Sequence, residues 1–140
     1  MFNKHKEQKG LKSMPRIHES AENYLETILR LQKKIPQVRS IDIANELDFS
    51  KPSVSIAMKN LRENGCITVE EGGIITLTDT GRKIAENIYE RHNIFMQLLT
   101  KLGVDEKTAA EDACRIEHVV SAESFAAIKR YVEALKDEQN

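Results

Sequence analysis

The stretch SIDIANELDFSKPSVSIAMKNLRENG at residues 40–65 decides the fold that we predict for this chain. Apolar residues recur at helical spacing on both sides of a short link at residues 48–50, which predicts two helices joined by a tight turn. Ser50 is a suitable N-cap for the second helix, and Pro52 suits an early helical position because its missing N–H has no partner there. Gly65 is typical of the residue that follows a helix C-terminus. The stretch therefore predicts a helix-turn-helix.

The flanking segments extend this unit toward a winged helix-turn-helix. An amphipathic helix at residues 20–34, with Ser20 as a plausible N-cap, comes before it. Two β-branched runs around a Glu-Glu-Gly-Gly turn predict a hairpin directly after the second helix, at residues 66–69 and 74–77. Three more helices follow: one of roughly twenty residues that Gly103 ends, one near 106–119 and one near 122–137. The order predicts a mainly α protein with a small β-hairpin, although the pattern alone leaves a generic three-helix core with a hairpin open.

Length and composition exclude several classes. The 140 residues suffice for one domain or two small ones with a real core, and 6 Gly and 3 Pro are too few for a collagen-like or linker-rich chain. No apolar run is long enough for a membrane span, and no apolar stretch follows the basic N-terminus, so we expect neither a membrane anchor nor a secretory signal. We expect a cytoplasmic protein, in which Cys66 and Cys114 are free thiols or metal ligands.

The net charge of −1 gives no sign of nucleic-acid binding, but the charge is unevenly distributed. Residues 1–16 hold five basic residues against one acidic residue, and their low apolar content predicts a disordered basic arm at residues 1–17. Such an arm either only aids solubility or touches DNA phosphates without sequence preference.

The second helix of the helix-turn-helix carries the features of a DNA-recognition helix. Small hydroxyls and cations lie at its N-terminus, where backbone N–H groups and the helix dipole favour anions. The residues expected to face DNA are Ser50, Lys51, Pro52, Ser53, Ser55, Ile56 and Lys59. An ordinary solvated face is the alternative, and Glu70 and Glu71 at the wing tip would be repelled by phosphates. None of these side chains dictates a base sequence, although Ile56 could contact a thymine methyl group.

A second group of residues suggests a metal site. Cys114, Glu117 and His118 are spaced i, i+3 and i+4, so that a thiolate, a carboxylate and an imidazole share one helical face. These donors suit a first-row transition metal. His92 on the long helix offers another imidazole, and Asn23 and Glu26 place an amide and a carboxylate on one face of the first helix. Taken singly, each residue is more often structural or solvated than a ligand.

Four segments of the chain resemble the diphtheria-toxin-repressor family of metal-dependent transcriptional repressors. They occur in the family's order over residues 18–121, and the most specific is the last. The segments are AENYLETILRL (21–31), SIDIANELDFSKPSVSIAMKNLRENG (40–65), LTDTGRKIAENIYERHNIFMQLL (77–99) and EDACRIEHVVS (111–121). No long segment for a third domain follows residue 121, so the chain looks like the short manganese-transport-regulator branch.

The resemblance implies particular ligands. Glu26, His92, Cys114, Glu117 and His118 match ligand positions of the family, whereas Asn23 stands where the family has Met or Asp. A neutral amide is a weaker ligand than a carboxylate, which affects both affinity and metal choice. Met96 and Ala110 stand where iron-type members have an acidic residue and a His, so we expect no complete ancillary site of that type.

The resemblance also implies an architecture and a mechanism. We expect a winged helix-turn-helix domain at residues 18–81 and a helical dimerisation and metal-binding domain at 82–140. Mn²⁺ or Fe²⁺ would fix the relative orientation of the two domains, so that a homodimer binds a palindromic operator of metal-homeostasis genes. Zn²⁺, Co²⁺ or Ni²⁺ could bind in vitro. Two other classes stay open. One is a metal-independent winged-helix regulator of an organic ligand. The other is an enzyme, against which the absence of a phosphate loop or any sign of a substrate pocket argues.

Overall fold

The computed structural model describes residues 19–138, so the basic arm expected at residues 1–17 lies outside the described part. Within that part, the chain forms six α-helices and one two-stranded antiparallel sheet. The helices are α1 (Glu19–Gln32), α2 (Ser40–Leu47), α3 (Lys51–Glu63), α4 (Asp79–Lys101), α5 (Glu106–Ile116) and α6 (Ala122–Glu138), and the strands are β1 (Ile67–Val69) and β2 (Ile75–Leu77). This confirms the mainly α fold with a small hairpin. None of the helices described at 19–138 is both long and apolar enough to cross a membrane.

The helix-turn-helix forms as the sequence predicts. The Ser50 hydroxyl accepts a hydrogen bond from the Ser53 backbone N–H at 3.3 Å and caps α3, and Pro52 lies in its first turn. Gly65 follows the helix with φ of +74°, a left-handed conformation that glycine adopts at low cost. Val54, Met58 and Leu61 of α3 are buried. The opposite face of α3 therefore stays free for solvent or a ligand.

The hairpin packs closely against the start of the long helix. Val69 pairs with Ile75, and a short 3₁₀ turn at Glu71–Gly73 connects the strands. A Cβ atom at Gly81 would lie 1.9 Å from the Cys66 carbonyl oxygen, so only glycine fits where α4 begins. The wing and α4 are therefore held together from the first turn of α4.

The apolar core consists of two clusters. The first joins α1, α2, α3 and the hairpin to the first turns of α4, and extends from Tyr24 to Ala85. The second lies among the later turns of α4, α5 and α6 and includes Phe95 and Phe125. The helix α4 thus connects both clusters. The domain boundary between residues 81 and 82 stays a prediction.

Two details differ from the prediction. The first helix already includes Glu19, so Ser20 lies inside α1 and is not its N-cap. The helix expected near residues 106–119 ends at Ile116, with Glu117 as its C-cap. The Arg91 guanidinium donates to the carbonyl oxygens of Glu117 and Val120, and so satisfies backbone groups beyond the end of α5.

Candidate metal centre and DNA-binding surface

Three segments distant in sequence meet in a buried polar cluster. Glu26 comes from the middle of α1, His92 from the middle of α4, and Glu117 from the end of α5. Glu26 is only 2% exposed and Glu117 is fully buried at 0%. Because carboxylates are rarely buried without a partner, this cluster needs an explanation beyond packing.

The inner ligand set consists of Glu26, His92 and Glu117. One potential donor atom from each lies within 4.8 Å of the others. The His92 Nδ1 lies 2.9 Å from Glu117 Oε2. Two carboxylates and an imidazole thus converge from three helices.

The outer ligand set consists of Cys114, Glu117 and His118, which again offer donor atoms within 4.8 Å of one another. Glu117 Oε1 lies 3.4 Å from His118 Nε2. The expected i, i+3, i+4 convergence is present even though α5 ends at Ile116, because Glu117 keeps helical dihedral angles as the C-cap. Glu117 belongs to both sets and connects them.

Asn23 lies at the open side of the outer set. Together with Cys114 and His118 it lines an open pocket of about 390 Å³ between α1 and the end of α5. An amide oxygen at this position could add a neutral ligand.

The protonation of the cluster reflects its burial. Desolvation and the proximity of Glu117 raise the pKa of Glu26 to about 7, and desolvation also raises the pKa of Glu117. Desolvation lowers the pKa of His92, which favours a neutral imidazole. Hydrogen bonds with Cys114 and Glu22 raise the pKa of His118 to about 10. A cation that binds these carboxyl groups would therefore compete with protons.

The cluster fits a divalent cation. Glu26 Oε2 is buried without a hydrogen-bond partner, Glu26 Oε1 has only the Arg30 guanidinium, and Glu117 Oε1 has only the His118 Nε2 at 3.4 Å. Such orphaned acceptors cost free energy unless something satisfies them. Two carboxylates, two imidazoles and one thiolate form a donor set suited to a first-row transition metal.

Three residues that the sequence analysis missed support the candidate ligands. Glu22 accepts a hydrogen bond from the His118 Nδ1 at 3.1 Å, which leaves Nε2 facing Glu117. Arg91, stacked 5.1 Å from the Phe125 ring centroid, holds the backbone carbonyl of Glu117. Arg30 forms an ion pair with Glu26 one helical turn earlier. The spacing of four residues could have indicated the Arg30 pair, whereas the other two contacts join residues 26 or more positions apart.

The proposed DNA-facing residues are all exposed on one side of α3. They are Ser50, Lys51, Pro52, Ser53, Ser55, Ile56 and Lys59. Ile56 is 63% exposed, an unusual position for a large apolar side chain on a helix without a partner. The structure thus presents hydroxyls, two cations and one apolar contact on a protruding helix.

The wing tip, which is acidic in sequence, is contacted by a basic residue from outside the hairpin. Arg39, which precedes α2, donates through Nε to the Gly72 carbonyl at the wing tip at 3.0 Å. This contact places an exposed guanidinium at the turn of Glu71–Gly73. Arg39 was not among the predicted DNA-facing residues.

Comparison with known proteins agrees with this architecture. The N-terminal DNA-binding domain of iron dependent repressors matches residues 16–73, and their metal binding and dimerisation domain matches residues 78–139. The fold and the buried cluster thus belong to a class of DNA-binding regulators with a separate metal-binding and dimerisation domain.

Several relatives share this arrangement. An HTH-type transcriptional regulator of Methanocaldococcus jannaschii is 34% identical over 123 residues, 86% of this chain and 98% of its own length. The transcriptional regulator MntR of Escherichia coli O157:H7 is 30% identical, over 95% of this chain and 87% of its own length. The diphtheria toxin repressor of Corynebacterium diphtheriae is 32% identical over 89% of this chain, but this chain spans only 54% of it.

A solved manganese-dependent transcriptional repressor in complex with manganese superimposes with a TM-score of 0.73 and 28% identity. The match covers 81% of this chain and 52% of that one. The chain belongs to the diphtheria-toxin-repressor family of metal-dependent transcriptional repressors. This confirms the resemblance seen in the sequence and the prediction of a regulator rather than an enzyme.

Proposed function

We propose that this chain is a repressor whose DNA affinity is switched by a divalent transition metal, Mn²⁺ or Fe²⁺. The observation that carries the proposal is the position of Glu117. This buried carboxylate joins a donor set that includes α1 to a second set at the end of α5. A cation bound there would link the first helix of the DNA-binding part to the helical part.

The residues that would hold the metal are Glu26, His92, Cys114, Glu117 and His118, with Asn23 beside them. A bound cation supplies positive charge that satisfies the buried carboxylates. The side chains keep the donors oriented: Glu22 accepts from the ring of His118 and Arg91 holds the backbone of Glu117. Glu117 also lies against His92, so three helices share one ligand cluster.

The switch is a population shift. Without the cation, the buried carboxyl groups hold protons or lack partners, and arrangements in which α1 is undocked compete with the docked one. A cation that binds only when α1 is docked favours that arrangement. A coupling of about 1–3 kcal/mol would change DNA affinity about 5–150-fold.

The functional unit is a homodimer that reads two half-sites. Apolar side chains remain exposed on the helical part, among them Leu102 at 70% and Tyr131 at 60% exposure. A dimer contact along α4 and α6 would cover apolar surface of this kind. Two α3 helices about one DNA turn apart, or a multiple of it, would then read a palindromic operator.

The donor set leaves Mn²⁺ and Fe²⁺ as the proposed ions. The thiolate of Cys114 favours iron or softer ions, and the carboxylate and amide oxygens are compatible with manganese. Zn²⁺, Co²⁺ and Ni²⁺ would bind in vitro, because divalent affinities at such sites increase toward the later metals.

The test combines metal analysis with DNA binding. Protein purified without chelator should contain Mn or Fe. In a gel shift, His118→Ala should abolish the response of DNA binding to metal, yet keep the salt-sensitive nonspecific binding. Lys107→Ala, which removes an exposed cation outside both ligand sets, is the control. Metal-free protein with full DNA affinity would favour the metal-independent regulator instead.

A further inference from the structure

Arg30 places a permanent positive charge on the inner ligand set. Its Nη2 lies 2.5 Å from Glu26 Oε1, one helical turn further along α1. The guanidinium also lies 5.9 Å from the centroid of the Tyr89 ring on α4, which helps to hold it in place. Glu26 is therefore already paired with a cation in the metal-free arrangement.

The charge of Arg30 acts on the whole inner set. Arg30 contacts Glu26 directly, and one potential donor atom each of Glu26, His92 and Glu117 lies within 4.8 Å of the others, so the guanidinium is close to all three donors. A divalent ion among these donors would lie close to the guanidinium, and like charges a few ångströms apart in a buried site repel strongly. A metal ion in the inner set therefore competes with Arg30 for Glu26.

Among the described residues, no arginine or lysine forms an ion pair with a side chain of the outer set, and a proton on the His118 ring can leave when a metal binds, whereas a guanidinium stays charged. Cys114 and His118 line an open pocket, and the direct partner of His118 is an acceptor, Glu22. The two sets share Glu117, but only the inner set is paired with a guanidinium, which cannot be deprotonated. A first metal ion therefore meets less competition at the outer set.

We propose that Arg30 is a built-in counter-cation that separates metal binding into two steps, the outer set first and the inner set second. This inference rests on the proposed metal-dependent function and adds how that function is regulated. Because Glu26 is the carboxylate of α1 in the inner set, the second step attaches the first helix to the metal. Arg30 thus sets the metal concentration at which the repressor responds.

The experiment is a binding titration of the full chain with Mn²⁺ and, separately, Co²⁺ at pH 8. Calorimetry gives the two affinities, and the thiolate-to-cobalt absorption band reports when Cys114 is ligated. In the wild type, the band should reach full intensity with the first equivalent, and the second ion should bind at least tenfold more weakly. Arg30→Gln should strengthen the second step at least tenfold and leave the first within about threefold.

Lys33→Gln is the matched control. It removes a cation from the same helix end, but the Lys33 ammonium lies 4.0 Å over the Tyr89 ring and is not paired with Glu26. Both metal affinities should stay unchanged. Arg30→Lys keeps the positive charge and should retain the weak binding of the second ion. This variant can also be measured if Arg30→Gln fails to fold.

Two outcomes overturn the inference. One is two ions of similar affinity in the wild type, and the other is a second step that Arg30→Gln does not strengthen. If the first ion still binds and requires His118, the metal-dependent function stands and only the role of Arg30 is lost. If no ion binds in any variant, the proposed function itself fails.

Discussion

Replacing Glu26 with glutamine should stabilise the metal-free protein and weaken the metal-bound one. The pKa of Glu26 is raised from 4.5 to about 7 by desolvation and by Glu117, so the ionised carboxylate is disfavoured in the folded state. A shift of this size corresponds to about 3 kcal/mol at a pH above both values. The pKa of about 7 already includes the attraction of Arg30 to the Glu26 carboxylate, so the ion pair needs no separate correction.

The sign of the effect depends on pH. Because the folded pKa lies above the unfolded value, the contribution of Glu26 to stability is full below pH 4.5 and is lost as the pH rises through 7. Metal-free Glu26→Gln should therefore exceed the wild type by roughly 2–3 kcal/mol at pH 8 and differ little at pH 4.5. The lowered pKa of His92 makes its own contribution to stability change with pH in the opposite direction. Because His92 is present in both proteins, this contribution largely cancels in the difference between their free energies of unfolding.

Urea denaturation at the two pH values, in chelator and in excess Mn²⁺, measures the effect. An ion at about 100 times its Kd stabilises the wild type by about 2.7 kcal/mol, and the glutamine variant should lose most of this gain. Equal stability of the two metal-free proteins at pH 8, with equal stabilisation by Mn²⁺, would refute the reasoning.

Three further outcomes follow from the site and the surface. Glu22→Gln should weaken metal binding about 10–100-fold because His118 loses its orienting acceptor, while Glu46→Gln, which changes an exposed carboxylate on α2, should leave calorimetric affinity unchanged. Metal affinity should increase from pH 6 to pH 8, and proton release should accompany binding. The reason is that Glu26, Glu117 and His118 have raised pKa values and lose protons to the metal. A calorimetric affinity that does not change with pH would contradict the assignment of these ligands. Lys59→Ala should weaken DNA binding equally for all sequences and reduce the salt slope by about 1, whereas an unchanged slope would exclude a phosphate contact by α3.

The sequence was sufficient for most of the fold because the relevant signals are local. The cap at Ser50, the left-handed Gly65 and the helical spacing in α3 each depend on neighbouring residues. The convergence of Cys114 and His118 is local too, since both lie within about one turn.

The rest of the site depends on contacts between distant segments. Residue spacing suggested Glu117 as a ligand and His92 as a further donor, but it could not bring His92 of α4 to Glu117; only the family resemblance implied that both belong to one site. The hydrogen bond between Glu22 and His118 joins residues 96 positions apart. The helix α5 ends at Ile116, earlier than its apolar pattern suggested, and Arg91 binds the backbone carbonyls that follow. These interactions require the packed arrangement of α1, α4 and α5.

The most direct test of the account is the DNA affinity of one protein sample with and without its metal. A duplex selected from a random-sequence pool by the Mn²⁺-loaded protein is labelled, and its Kd is measured by fluorescence anisotropy at fixed salt. The account predicts that Kd is about 5–150-fold lower in Mn²⁺ or Fe²⁺ than in chelator, and that His118→Ala removes the difference. The same Kd in chelator and in metal would contradict it.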